Sequence, residues 1–231
     1  MNKKLFWIFI PLFLCLWGCS GKLEGLQSVQ VYRIYVYPAV DIDSGDVYAE
    51  SAVPQQRLAV LVKSTSDTRY VSHIEVYHPQ SKLNWKITAP VVAGNDADSV
   101  VGSYSLKPPY FSDFPTGTYL INYTDFAGNT VSKNFTLTEH SDVFPPVYGS
   151  VFDYFKTGSP DFSYNLVVFE GKTGQGKILY YGKPQKEWTT LTSVQKAYPE
   201  ALSVRISAYS KLDSSYYLLP PTSLDGGNDY E

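Results

Sequence analysis

Hydrophobic and polar positions alternate with a period of two along most of this chain. Leu58, Val60 and Val62 share one face of residues 57–63. Tyr104 and Leu106 alternate with serines in 102–106. Tyr119, Ile121 and Tyr123 oppose Thr118, Leu120, Asn122 and Thr124. Phe162, Tyr164, Leu166 and Val168 form another such set, and Leu202, Val204, Ile206 and Ala208 oppose Ser203, Arg205, Ser207 and Tyr209. Successive strand side chains point to opposite sides, so this period in β-branched and aromatic residues predicts half-buried strands. Turn-forming clusters separate them at 79–82, 114–117, 126–129, 156–161 and 172–177.

The spacing predicts an all-β chain of two tandem antiparallel β-sandwiches. The first occupies 28–139, with strands over 29–37, 57–63, 70–78, 83–88, 99–106, 117–126 and 130–138. Residues 140–147 read as a linker, because Pro145-Pro146 cannot continue a ladder and stiffens the chain. The second sandwich occupies 148–224, with strands expected over 147–155, 162–171, 177–184, 201–210 and 215–224. One short helix is expected within 188–199, capped by Thr190 or Thr192 and ended by Pro199. Residues 225–231 read as a tail.

The N-terminus follows another pattern. Lys3 and Lys4 precede an apolar run from Leu5 to Trp17, interrupted by Pro11. That run is shorter than the ~20 residues that span a hydrocarbon core. It reads as a secretory leader over 1–18. Leu16-Trp17-Gly18-Cys19 then resembles the bacterial lipobox, in which Leu, a small or branched residue, and Gly or Ala precede Cys. Trp17 departs from the pattern by its bulk. The resemblance implies cleavage before Cys19, a diacylglycerol thioether on its sulfur, and acylation of the new amino group. Cysteine suits that role because sulfur is the nucleophile. Several acyl chains hold far more firmly than one. Residues 19–27 would be the tether. The only other cysteine, Cys15, leaves with the leader, so the mature chain has no disulfide. Gly21-Lys22 in place of an acidic residue points, by the same resemblance, to the outer rather than the inner membrane.

Residues 114–137 resemble the last hairpin of bacterial immunoglobulin-like domains, where a Pro/Gly corner leads to Gly-x-Tyr, Thr-Asp and an Ala-Gly-Asn turn. That implies a tyrosine corner at Tyr119, its hydroxyl bonding upstream backbone. Ile121 stands where antibody domains carry cysteine. Residues 202–224 resemble the final strands of fibronectin type III-like domains.

Charge removes some partners. The chain carries 19 basic and 22 acidic residues, and losing Lys3 and Lys4 makes the remainder more negative. With no basic stripe, nucleic acid is not an expected partner. No cofactor, catalytic or metal residue is assigned. His73 and His78 are five apart on one strand and face opposite sides, and His140 lies far off in sequence. Asp41, Asp43 and Asp46 surround Gly45, but the twelfth position counted from Asp41 is Ala52, not the glutamate of a calcium loop. They and residues 95–98 read as turns, as does the Gly-rich stretch 172–177. The 20 tyrosines stand out. Neighbours in Tyr180-Tyr181 and Tyr216-Tyr217 cannot both face a core. Some, among Tyr32, Tyr35 and Tyr37 as well, must be exposed or cover a seam. The expected function is a non-enzymatic, lipid-anchored binding or adhesion module of a bacterial envelope, with a protein or polysaccharide partner. A structural envelope component and a carbohydrate-binding accessory protein are the alternatives.

Overall fold

The computed structural model describes residues 25–38, 53–64, 70–94, 99–109, 113–174 and 176–224. The first eight strands are β1 (Leu26–Val36), β2 (Gln55–Ser64), β3 (Val71–His78), β4 (Leu83–Ile87), β5 (Val91–Ala93), β6 (Val100–Leu106), β7 (Gly117–Asp125) and β8 (Thr130–Leu137). Helix α1 (Asp153–Thr157), β9 (Phe162–Phe169), β10 (Ile178–Gly182), α2 (Leu191–Ala197), β11 (Ser203–Ser210), β12 (Tyr216–Leu218) and β13 (Thr222–Ser223) follow. The chain is predominantly β, as the alternation required. The short edge strand β5 escaped the sequence reading because three residues carry too little periodicity.

Strands β4-β3-β7-β8 form one sheet. It faces the β1-β2-β6-β5 portion of the other. Leu58, Val60, Val62, Ile74, Val76, Val101, Tyr119, Ile121 and Tyr123 fill the space between, all essentially solvent-free. Each such side chain contributes about 1.5–3 kcal/mol of transfer free energy. The Tyr119 hydroxyl donates to the Pro115 carbonyl oxygen at 2.6 Å, which pins the corner entering β7. Burial pushes this phenol up to about 12, with the Arg33 charge opposing.

The C-terminal half departs from the two-sandwich expectation. Strands β10-β9-β11-β12 extend the sheet that holds β1, and β13 lies beside β11. The join is a parallel pairing, Ile34 with Tyr216, Tyr35 with Tyr217 and Val36 with Leu218, prolonged by Tyr37 N–H to the Leu218 carbonyl at 3.0 Å. The described strands therefore make one sheet of nine and one of four. The fibronectin-type half would need its own second sheet. Helices α1 and α2 take that place, with Tyr154 and Val194 in a core that includes Leu166, Val168, Val204, Ile206 and Ala208.

Residues 147–155, expected as a strand, begin in turns and enter α1. Phe152 and Phe155 are three apart, a helical spacing that aromatic density disguised as a strand. Gly158, at φ 66°, ends the helix, its N–H bonded to the Tyr154 carbonyl at 3.2 Å. Helix α2 is capped at Thr190, whose hydroxyl accepts from Ser193 N–H while the Ser193 hydroxyl accepts from Thr190 N–H. Pro199 lies just beyond its last residue.

Candidate functional site

Cys19, the expected lipid attachment, lies outside the described residues, as do Asp41, Asp43, Asp46 and residues 95–98. Among the described residues no three His, Cys, Asp or Glu side chains gather as a metal group, and no helix is long and apolar enough to cross a membrane. The histidines are dispersed. His78 faces the sandwich core, its ring 4.5 Å from that of Tyr119 and its Nδ1 2.6 Å from Ser81 Oγ. His73 projects from the other face of β3, 3.9 Å from Glu75.

The pleat sorts the tyrosines. On β1, Tyr35 turns inward and stacks on Tyr217, centroids 5.1 Å apart. Tyr32 turns outward and meets Tyr216 edge-on at 5.4 Å, and Tyr216 meets Tyr209 at 4.9 Å. These three half-buried rings shield one another across the β1–β12 join. The Tyr180 ring packs at 4.8 Å on Trp188, while Tyr181 is exposed and accepts from Asn165 Nδ2 at 3.0 Å. Tyr32, Tyr35, Tyr209, Tyr216 and Tyr217 are thus structural, spent on two faces of one sheet.

The face of β11 expected to be polar and wet is covered. Ser203, Arg205 and Ser207 are buried, the first two beneath the β9–β10 connection. Gly174 N–H donates to Ser203 Oγ at 3.0 Å, and Ser203 Oγ donates to the Gly171 carbonyl. Arg205 Nη2 donates to the Tyr37 carbonyl at 2.9 Å. Burial, with the charge of Arg57, makes that guanidinium easier to deprotonate than usual. The Gly-rich turn is therefore a lid on an arginine.

Residues 138–152 carry no strand or helix and cross from the small sheet to α1. A polar cluster ties them down. The Tyr217 hydroxyl and His140 Nε2 are 3.0 Å apart. His140 Nδ1 lies 2.6 Å from Asp213 Oδ2. Ser141 N–H donates to the same carboxylate oxygen at 3.0 Å. Burial opposes ionisation of Asp213, but Ser141, Ser210 and His140 outweigh it and hold its carboxyl below the usual range. The cluster is packed between Tyr35 and Phe144. It fastens the connection to the β1–β12 join.

A cleft opens between α1, β9 and the end of β10, with a volume of about 360 Å³. Tyr154 and Phe155 come from α1, Phe162 and Tyr164 from β9, and Lys183-Pro184 follow β10. Lys183 Nζ donates to the Tyr164 carbonyl and sits 5.6 Å from the centre of the Phe155 ring. Ser159 and Ser163 add hydroxyls. The Tyr164 hydroxyl is fully buried, with the Ser159 hydroxyl close to it. Burial raises the Tyr164 and Tyr154 phenols above their ordinary values, and Tyr148 N–H, donating to Tyr154 Oη at 3.2 Å, partly offsets the second. Recognition is the chemistry on offer, with rings to stack, hydroxyls to bond and an ammonium for an anion.

No family model, curated protein or solved structure matches this chain. The site has to be read from its geometry. Nothing in the sequence marked Lys183 or Tyr164, since the helix that faces them was itself read as a strand. The available signal was the density of aromatics over 148–164.

Proposed function

We propose that this chain is a lipid-anchored, non-enzymatic binding module of a bacterial envelope, acylated at Cys19 and held in the outer membrane. Its ligand is a glycan with a carboxylate-bearing sugar at the cleft. The observation that carries this reading is the Lys183 ammonium in the cleft, poised over the Phe155 ring and bonded to the Tyr164 carbonyl. An ammonium has three donors. Lys183 uses one on the Tyr164 carbonyl, and the others suit a carboxylate. The face of the sugar ring would pack on the aromatic wall of the cleft.

The lipobox pattern supports the anchor. The strand order of the N-terminal portion, β1-β2-β6-β5 against β4-β3-β7-β8, and the Tyr119 corner support its reading as immunoglobulin-like. A rigid body on a tether acts by raising its local concentration toward partners in the same layer.

The test is a glycan array probed with detergent-solubilised full-length protein. Uronate-containing glycans are expected to bind and their neutral counterparts not. Lys183→Gln should weaken binding about tenfold or more, the effect of roughly 1.4 kcal/mol. Uronate binding unchanged in that variant would place the ligand elsewhere. Absence of any glycan binding, with an envelope protein co-purifying, would favour a structural role.

A further inference from the structure

Strand β1 starts at Leu26, opposite Ser64 at the end of β2, and β3 starts at Val71, opposite Asp125 at the end of β7. The chain therefore enters the sandwich at the same end as Tyr70 and the β7–β8 turn. That end carries two bare aromatic rings, Phe126 at 73% exposure and Tyr70 at 59%. They are held together, since Phe126 N–H donates to the Tyr70 carbonyl at 3.0 Å. The turn that presents Phe126 is rigid. Asp125 N–H donates to the Asn129 carbonyl at 3.0 Å and Gly128 N–H to the Asp125 carbonyl at 3.1 Å. Asn129 N–H and Nδ2 donate to the two Asp125 carboxylate oxygens at 2.8 and 3.0 Å. Those bonds, that from the Asn129 side chain foremost, hold the Asp125 carboxyl below its usual range. The turn thus spends its one carboxylate internally and points its phenyl ring outward.

We propose that Tyr70 and Phe126 form a membrane-contact tip that lies in the bilayer interface. The proposal rests on Cys19 being the lipid attachment. Six residue steps separate Cys19 from Gly25. At about 3.3–3.6 Å per residue they reach no more than roughly 20 Å. An acylated Cys19 sits at the membrane surface, so this end of the sandwich, and not the other, is confined beside lipid. Aromatic rings settle at that boundary, where an apolar body and a polar tip are both satisfied. The contact needs no basic patch, consistent with the acidic balance of the chain. It makes the anchor a two-point attachment that sets orientation. Strand β1 then points away from the lipid, with its pairing to β12 at the far end.

The experiment uses full-length acylated protein in vesicles of phosphatidylethanolamine and phosphatidylglycerol at about three to one, low enough in charge that interfacial rings rather than a polybasic patch must supply the contact. With Cys15 removed and Cys19 acylated, an introduced cysteine is the one free thiol. Ala127→Cys in the turn and Val53→Cys at the opposite end of β2 each take a nitroxide label. The label at 127 should be several-fold less accessible to an aqueous nickel chelate, and more accessible to oxygen, than that at 53. Adding Tyr70→Ser and Phe126→Ser should abolish the difference while the protein still floats with the vesicles. Equal accessibility at the two sites in floating, acylated protein overturns the tip and spares the anchor. A native N-terminus that mass spectrometry finds unacylated overturns both.

Discussion

Removing one hydroxyl tests whether the polar cluster at the β1–β12 join fastens the two halves of the molecule. Tyr217 is fully buried, and its hydroxyl has one partner, His140 Nε2 at 3.0 Å. In Tyr217→Phe the ring keeps its stack on Tyr35 and its edge contact with Phe162 at 5.9 Å. Only the bond is lost, and its net worth is about 0.5–1.5 kcal/mol. The penalty for a stranded partner is limited, because the His140 side chain is 19% exposed. A loss of about 1 kcal/mol lowers the melting temperature of a chain this size by roughly 2–4 °C. Tyr217→Ala also removes the ring and should cost about 3–5 kcal/mol. The assay is thermal unfolding followed by circular dichroism at pH 7. A double-mutant cycle with His140→Ala should show the pair coupled by at least about 0.5 kcal/mol. Strictly additive single mutants would mean that the hydroxyl and the imidazole do not act together, and the account of the cluster would fail. A Phe variant as damaged as the Ala variant would refute the partition between bond and ring.

The same carboxylate gives a pH dependence of known sign. The folded carboxyl of Asp213 is held below its unfolded value, so its contribution is present above pH ~4 and is lost as pH falls through the folded value. Asp213→Asn should therefore be less stable than the parent in urea at neutral pH and converge with it in acid; a gap that widened in acid would reverse the assignment. Gly102→Ala places a Cβ 1.9 Å from the Val60 carbonyl oxygen inside paired strands, and should cost more than about 2 kcal/mol in urea unfolding. Tyr119→Phe removes the bond to Pro115 and should cost about 1 kcal/mol, read as a lower urea midpoint with an unchanged slope.

Much of the local structure was legible in the residues. Seven strands of the N-terminal portion follow from two-residue alternation, because a strand with one buried face must repeat that way. The inward set Tyr119, Ile121 and Tyr123 is buried as its spacing requires. Thr190 and Pro199 bracket α2 because cap and breaker chemistry act within a few residues. The candidate site was not legible. Lys183 meets Tyr164 and Phe155 across gaps of 19 and 28 positions, and no periodicity reports a contact of that kind.

The sequence by itself determined that the chain is β-rich, where most of its strands lie, one face that many of them bury, and that a lipobox-like motif precedes them. These follow from forces between near neighbours, the pleat, the turn dihedrals and the burial of one face. Only the tertiary structure decided which strands pair. Parallel pairing of β1 with β12 joins positions about 180 residues apart, merges the expected second sandwich into the first sheet, and leaves two short helices to cover its inner face. Backbone groups bond any strand that arrives in register. The choice of partner therefore rests on how whole faces pack, and no local stretch of sequence records it.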